Sequence, residues 1–188
     1  DDNAEIVSKD LEPIQQFNFE NSHAYTADFH QGIIAVWFYT GELQLLSNTE
    51  IINSIQVETN QLIISLHFVN YKDEITLFAF SEDGDIIRYN LPSLQEIEHI
   101  HLGYHIKNVI KMNTNKHNKM NGALFINGSS PAILYPNGSF SSVVCPNHSS
   151  SCSIQDSLFA MVVGFNLEIG HLNNTDICTI IPKDSETR

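Results

Sequence analysis

Residues 75–89 run Ile75-Thr76-Leu77-Phe78-Ala79-Phe80-Ser81-Glu82-Asp83-Gly84-Asp85-Ile86-Ile87-Arg88-Tyr89, two apolar segments joined by an acidic, glycine-bearing centre. An apolar run rich in β-branched and aromatic residues enters it, which marks a strand buried on both faces. Asp83-Gly84 then supplies a dipeptide that tolerates positive φ and favours a tight hairpin. The run that leaves, Asp85 to Tyr89, mixes polar and apolar residues and reads as a strand with one wetter face.

The same unit recurs. Ile33-Ile34-Ala35-Val36-Trp37-Phe38 precedes Gly41, Ala123-Leu124-Phe125-Ile126 precedes Gly128, and Leu158 to Val163 precedes Gly164. With Gly84 these glycines are read as the four central turns, the first three at intervals of 43 and 44 residues. Second runs follow at Glu42 to Leu46, Ala132 to Tyr135 and Leu167 to His171, and third runs at Glu50 to Ile55, Glu96 to Leu102, Phe140 to Val144 and Asp176 to Ile180. Leu62 to Phe68 and Ile106 to Ile110 supply first strands for the second and third copies. Four strands in about 40–45 residues is the repeat of a β-propeller blade. The expected fold is therefore all-β, with about four WD40-like blades over residues 23–182, a connecting segment over 1–22 and an exit linker over 183–188. No segment shows a helical period, and Asn113 to Lys119 reads as a protruding polar loop.

The chain has 188 residues, 42% of them hydrophobic and 16% charged, which is a globular composition. Its formal charge of −13, with nine Lys and Arg, argues against direct nucleic-acid contact and leaves solubility or a basic protein partner as its meaning. No apolar run reaches the roughly 20 residues that cross a bilayer, so no membrane contact is expected. The start at Asp1 reads as a cut fragment or a processed form.

The chemistry-bearing residues do not assemble into a catalytic set. His99, His101 and His105 form the densest histidine group, and strand alternation puts His99 and His101 on one face, yet no Cys or carboxylate completes a metal-ligand spacing. Glu82, Asp83 and Asp85 crowd one turn but fall short of a calcium loop. Ser129-Ser130 and Ser149-Ser150-Ser151 have no placed His-acid companion. No catalytic residue, metal or cofactor is expected. Cys145 and Cys152 bracket a Ser-rich stretch read as a loop, and either a disulfide or two reduced thiols fits their spacing. Four Asn-X-Ser/Thr sequons, at Asn127, Asn137, Asn147 and Asn173, hint at secretion in a chain where Asn and Ser are abundant anyway. As partner-binding anchors the sequence offers Tyr39, Tyr71 and Tyr104, aromatics beside turns or strand ends.

Ala123-Leu124-Phe125-Ile126-Asn127-Gly128-Ser129-Ser130-Pro131-Ala132-Ile133-Leu134-Tyr135 resembles a stretch of the large multi-propeller scaffolds typified by the large subunit of damage-specific DNA-binding protein and the cleavage-and-polyadenylation factor A subunit. The resemblance continues through Asp156 to Ala160, Leu167 to Leu172 and Thr179-Ile180-Ile181-Pro182, and covers about residues 60–182. Ser130 stands where that family often has Arg, and the first repeat matches in pattern only. The resemblance implies a slice of a longer protein whose remaining blades are its first partner. It further implies a nuclear, non-enzymatic interaction scaffold: a divergent fungal-type adaptor of a cullin ubiquitin ligase, holding a cullin or substrate receptor in DNA repair or replication. A splicing or cleavage-polyadenylation scaffold bound to RNA-processing subunits is the alternative within the family. A secreted or luminal ligand-binding propeller is the alternative outside it.

Overall fold

The computed structural model describes residues 3–7, 13–18, 23–47, 50–57, 62–72, 74–112, 122–142, 149–155, 158–163, 166–171 and 178–181. Among these, every regular element is a strand. Strands β1 (Asn3–Val7) and β2 (Pro13–Asn18) pair antiparallel, so the segment read as a connector carries a hairpin. Four four-stranded sheets follow. The first holds β3 (Ala24–His30), β4 (Ile33–Phe38), β5 (Glu42–Ser47) and β6 (Glu50–Gln56). The second holds β7 (Ile63–Tyr71), β8 (Glu74–Ser81), β9 (Asp85–Tyr89) and β10 (Glu96–His101). In the third are β11 (Ile106–Lys111), β12 (Leu124–Gly128), β13 (Ala132–Leu134) and β14 (Phe140–Ser142), and in the fourth β15 (Ser149–Gln155), β16 (Leu158–Val163), β17 (Asn166–His171) and β18 (Cys178–Ile181). In every sheet the strands lie in chain order, the meander of a propeller blade.

The burial along the strands explains the repeat. β4, β8 and β12 are buried almost throughout, as their continuous apolar runs require. β5 has the expected wetter face, with Glu42, Gln44 and Ser47 half-buried between buried leucines, whereas β9 and β13 are buried and correct that expectation: Asp85 and Tyr89 are covered, and only Arg88 is half-buried. The wet strands are β3 at one edge of the first sheet and the last strands β6, β10 and β14, where exposed residues alternate with half-buried positions.

The chain divides into two compact units. The first is Asp1–Phe68 with Thr76–Ser81 and Ile86–Ile100. Its core joins two sheets face to face: Ala35, Trp37, Leu43 and Leu45 meet Ile63, Leu66, Phe68, Leu77, Ala79, Ile87 and Tyr89. A smaller cluster of Ile34, Val36, Phe38 and Leu46 lines the opposite face of the first sheet. Strand alternation makes this division, since Ala35 and Trp37 point one way and Ile34, Val36 and Phe38 the other. The second unit is Val69–Ile75, Glu82–Asp85 and His101–Arg188. Within it Ala123, Leu124, Phe125, Ile126, Ala132 and Ile133 are buried.

Gly128 is the last residue of β12, paired with Ile106, and the turn follows it at Ser129 and Ser130. It is a glycine for a different reason: a Cβ there would lie 2.3 Å from the His105 carbonyl oxygen. The Ser-rich stretch read as a loop is strand β15, whose Cys152 pairs with Met161 across the ladder. A run of three serines followed by Cys152, Ser153 and a single Ile looks polar enough for a loop, and only pairing with the apolar β16 recruits it. Gly164, the loop 113–119, Cys145 and the 183–188 linker lie outside the described residues.

Tyr89 carries a pH consequence. Burial first, then the neighbouring Glu96 carboxylate, push its phenol from the usual value of 10.0 up to about 12. The unfolded chain therefore ionises first, so this contribution to stability is complete below pH 10 and is lost as pH rises toward 12. Urea unfolding should show the folded state weakening across that window by up to ~2 kcal/mol, and Tyr89→Phe should flatten the decline. At neutral pH the same variant should cost little, because the Tyr89 hydroxyl is buried without a hydrogen-bond partner. Trp37→Ala, by contrast, empties the inter-sheet core and should cost ~3–5 kcal/mol in the same measurement.

Candidate functional site

Loops that join rigid strands are where a propeller presents side chains, and here the turns are fixed by backbone before any side chain is placed. In the first unit the β4–β5 turn closes with Gly41 donating its N–H to the Phe38 carbonyl at 3.0 Å. Val57, just past the outermost strand, donates to the Gly41 carbonyl at 3.0 Å, and Gln56 Nε2 donates to the Thr40 carbonyl at 2.8 Å. This clamp holds Tyr39 out of the fold, 61% exposed, with its ring edge-to-face against Tyr25 at 4.7 Å. Tyr25 is itself 37% exposed. An aromatic pair on a rigid turn is a low-entropy anchor for a protein partner.

The second unit repeats the clamp with more chemistry. Leu102 donates to the Gly84 carbonyl at 2.9 Å, and Ile106 donates to the Glu82 carbonyl at 2.9 Å. The connection after β10 thereby wraps the Asp-Gly turn so closely that a Cβ on Gly84 would stand 2.3 Å from the Tyr104 carbonyl oxygen. Two histidines reinforce the wrap. His101 Nδ1 lies 2.8 Å from the buried Asp85 carboxylate, and His105 Nδ1 lies 3.2 Å from the Glu82 carbonyl oxygen and 3.6 Å from Asp83. His99, in the first unit, faces Glu96 at 3.8 Å. The three histidines read as a cluster thus have separate acidic neighbours. Among the described residues no group of three His, Cys, Asp or Glu is placed to hold a metal ion.

The nominated tyrosines fall into three environments. Tyr39 is the exposed member. Tyr104 is half-buried in the wrapped connection, and burial raises its phenol pKa. Tyr71 is 2% exposed and presents no anchor, a correction with a clear cause: the β13–β14 turn lies over it. Lys72 N–H donates to the Pro136 carbonyl at 2.6 Å, and Gly138 sits so near that a Cβ would meet the Tyr71 hydroxyl at 2.7 Å and Lys72 Cε at 2.5 Å. Tyr25, which sequence reading missed, gave no signal because its strand has no apolar run; only the ring contact with Tyr39 singles it out. Of the sequon asparagines, Asn127 is buried in β12 and Asn137 is exposed in a turn, while Asn147 and Asn173 lie outside the described residues.

The glycines give a graded test. Gly32 and Gly84 both have positive φ, yet a Cβ at Gly32 meets nothing within 4 Å. Gly32→Ala should therefore cost only the ~1–2 kcal/mol of a left-handed alanine, and Gly84→Ala distinctly more, in paired urea unfolding curves. Asp85→Ala should cost ~1–3 kcal/mol through the His101 bond.

No protein-family model and no curated protein matches the chain. Solved structures do. The WD40 domain of Neurospora crassa Pan2 superposes with a TM-score of 0.64 at 11% identity, covering 95% of this chain and 59% of that one. Chaetomium thermophilum Raptor superposes with a TM-score of 0.62 at 10% identity, covering 86% of this chain and 17% of that one. The chain therefore spans less than two thirds of either structure. At such identities the likeness speaks for the fold, and the fold it gives is that of WD40-type β-propeller blades.

Proposed function

We propose that this chain is a non-enzymatic protein-interaction scaffold, a set of propeller blades that offers clamped turns to a partner. The observation that carries this reading is the Tyr25–Tyr39 pair, exposed on a turn whose backbone is held by Gln56 and Val57. Its finer form follows the resemblance over residues 60–182: a segment of a cullin-type ubiquitin-ligase adaptor, nuclear, acting in DNA repair or replication and bound to a cullin or substrate receptor. The acidic charge of −13 suits a basic partner surface and not nucleic acid.

A second reading has one observation in its favour. Asn137-Gly138-Ser139 presents a sequon asparagine in an exposed turn, as a luminal or secreted propeller would need. Intact mass of native material with and without glycosidase separates the two, since a sugar on Asn137 excludes the nuclear reading.

The direct test is affinity purification of the chain beside its Tyr25→Ala/Tyr39→Ala variant from the same nuclear extract. The adaptor reading expects a cullin or substrate receptor with the parent chain and at least ~10-fold less with the variant, at an unchanged urea midpoint. Recovery of splicing or cleavage-polyadenylation subunits would transfer the chain to the RNA-processing branch. Equal recovery by both chains would remove the tyrosine pair from the interface.

A further inference from the structure

The end of the first unit opposite Tyr39 carries a different surface. The ladder register places the starts of β4 and β6 at that end, together with the end of β5. There the β5–β6 register slips between Leu45 and Leu46, so that Leu45 faces Asn53 and Leu46 faces Ile51. Ile52 is the extra residue of this bulge, and bulging leaves two consecutive isoleucines in solvent, Ile51 at 58% and Ile52 at 43% exposure. The next residue ties them to the neighbouring sheet: Asn53 Nδ2 donates to the Pro92 carbonyl at 3.0 Å. Pro92 belongs to the turn that Asn90 closes by donating to the Gln95 carbonyl at 2.9 Å, and that turn delivers Glu96 and Ile97, the latter 41% exposed. One rim of the first unit thus displays Ile51, Ile52 and Ile97.

Among the described residues, the charged side chains that open the two strands of this rim are carboxylates. Glu50 and Glu96, exposed, open the two outer strands. The sequence holds no Lys or Arg from Asp10 through Tyr71, and Arg88, the one Lys or Arg in the strands of the second sheet, stands 2.9 Å from Glu98 in an ion pair. Exposed β-branched residues on an outer strand invite association, and an acidic border disfavours acidic partners and a second copy of this chain alike. We propose that the rim of Ile51, Ile52 and Ile97 is a docking site for an amphipathic, Lys/Arg-rich segment of a partner protein, whose apolar side chains cover the isoleucines while its cations meet Glu50 and Glu96. This deepens the scaffold reading by naming a second surface and the chemistry of what it takes.

The probe is a synthetic amphipathic Leu/Lys peptide, labelled for fluorescence anisotropy against the 188-residue chain. It should bind, with affinity falling as salt rises. Oligolysine of equal charge should bind at least ~10-fold more weakly, because it leaves the isoleucines wet. Ile51→Ser/Ile97→Ser should weaken the Leu/Lys peptide by at least ~10-fold, and Glu50→Lys/Glu96→Lys, which leaves the apolar residues in place, should weaken it as much. Equal binding by either variant with an unchanged urea midpoint overturns the site. So does oligolysine binding as tightly as the Leu/Lys peptide, or a concentration-dependent dimer of the parent chain that the isoleucine variant abolishes. All these chains keep Tyr25 and Tyr39, so failure here leaves the scaffold reading to its own test.

Discussion

The bond on which this fold most depends is a backbone one: the residue just beyond an outermost strand returns its N–H to the carbonyl of the turn glycine in the middle of the same sheet. Val57 does so to Gly41 and Leu102 to Gly84. The bond turns a flat meander into a closed loop of chain, since the end of the fourth strand is stitched back between the second and third. It also fixes where the connection to the next sheet sets out. A glycine is required because the returning chain leaves no room for a side chain, as the 2.3 Å approach of the Tyr104 carbonyl to a Cβ on Gly84 makes plain.

The rest of the architecture follows from that stitch. Once the outer strand is tied down, the inner strands can be buried on both faces, and their apolar runs stop being a liability. Trp37 and Leu43 on one sheet and Phe68 and Leu77 on the other then form a single core. The turns emerge with their backbone already satisfied, so the side chains they carry are free for other work. Tyr39 leans on Tyr25 in one place, and His101 caps Asp85 in another.

What the sequence made legible was whatever depends on a local pattern. The runs at Ile33 to Phe38 and Ile75 to Phe80 announced inner strands, and Asp83-Gly84 announced its hairpin, because period and turn chemistry are properties of adjacent residues. Long-range placement was not legible. Gly128 looked like another turn glycine, but its identity is set by His105, more than twenty residues away. Tyr71 looked like a rim aromatic until Pro136 and Gly138 closed over it. The bulge at Ile52 was invisible for the same reason: two neighbouring isoleucines read as an ordinary strand start, and only the register against Leu45 and Leu46 exposes both.

The turn at Lys72 has a further meaning in terms of proteolysis. After Lys9 it is the first place where trypsin can cut, because no other Lys or Arg stands between them. Yet Lys72 sits at φ 51°, its N–H bonded to Pro136 and its ammonium 4.9 Å from the Tyr71 ring centroid. A protease needs that bond extended and in hand, so cleavage waits on the turn opening. The first sheet would then leave a native digest within one long fragment, and the rate at which Lys72 is cut would report how often the 71–72 turn parts from the β13–β14 turn.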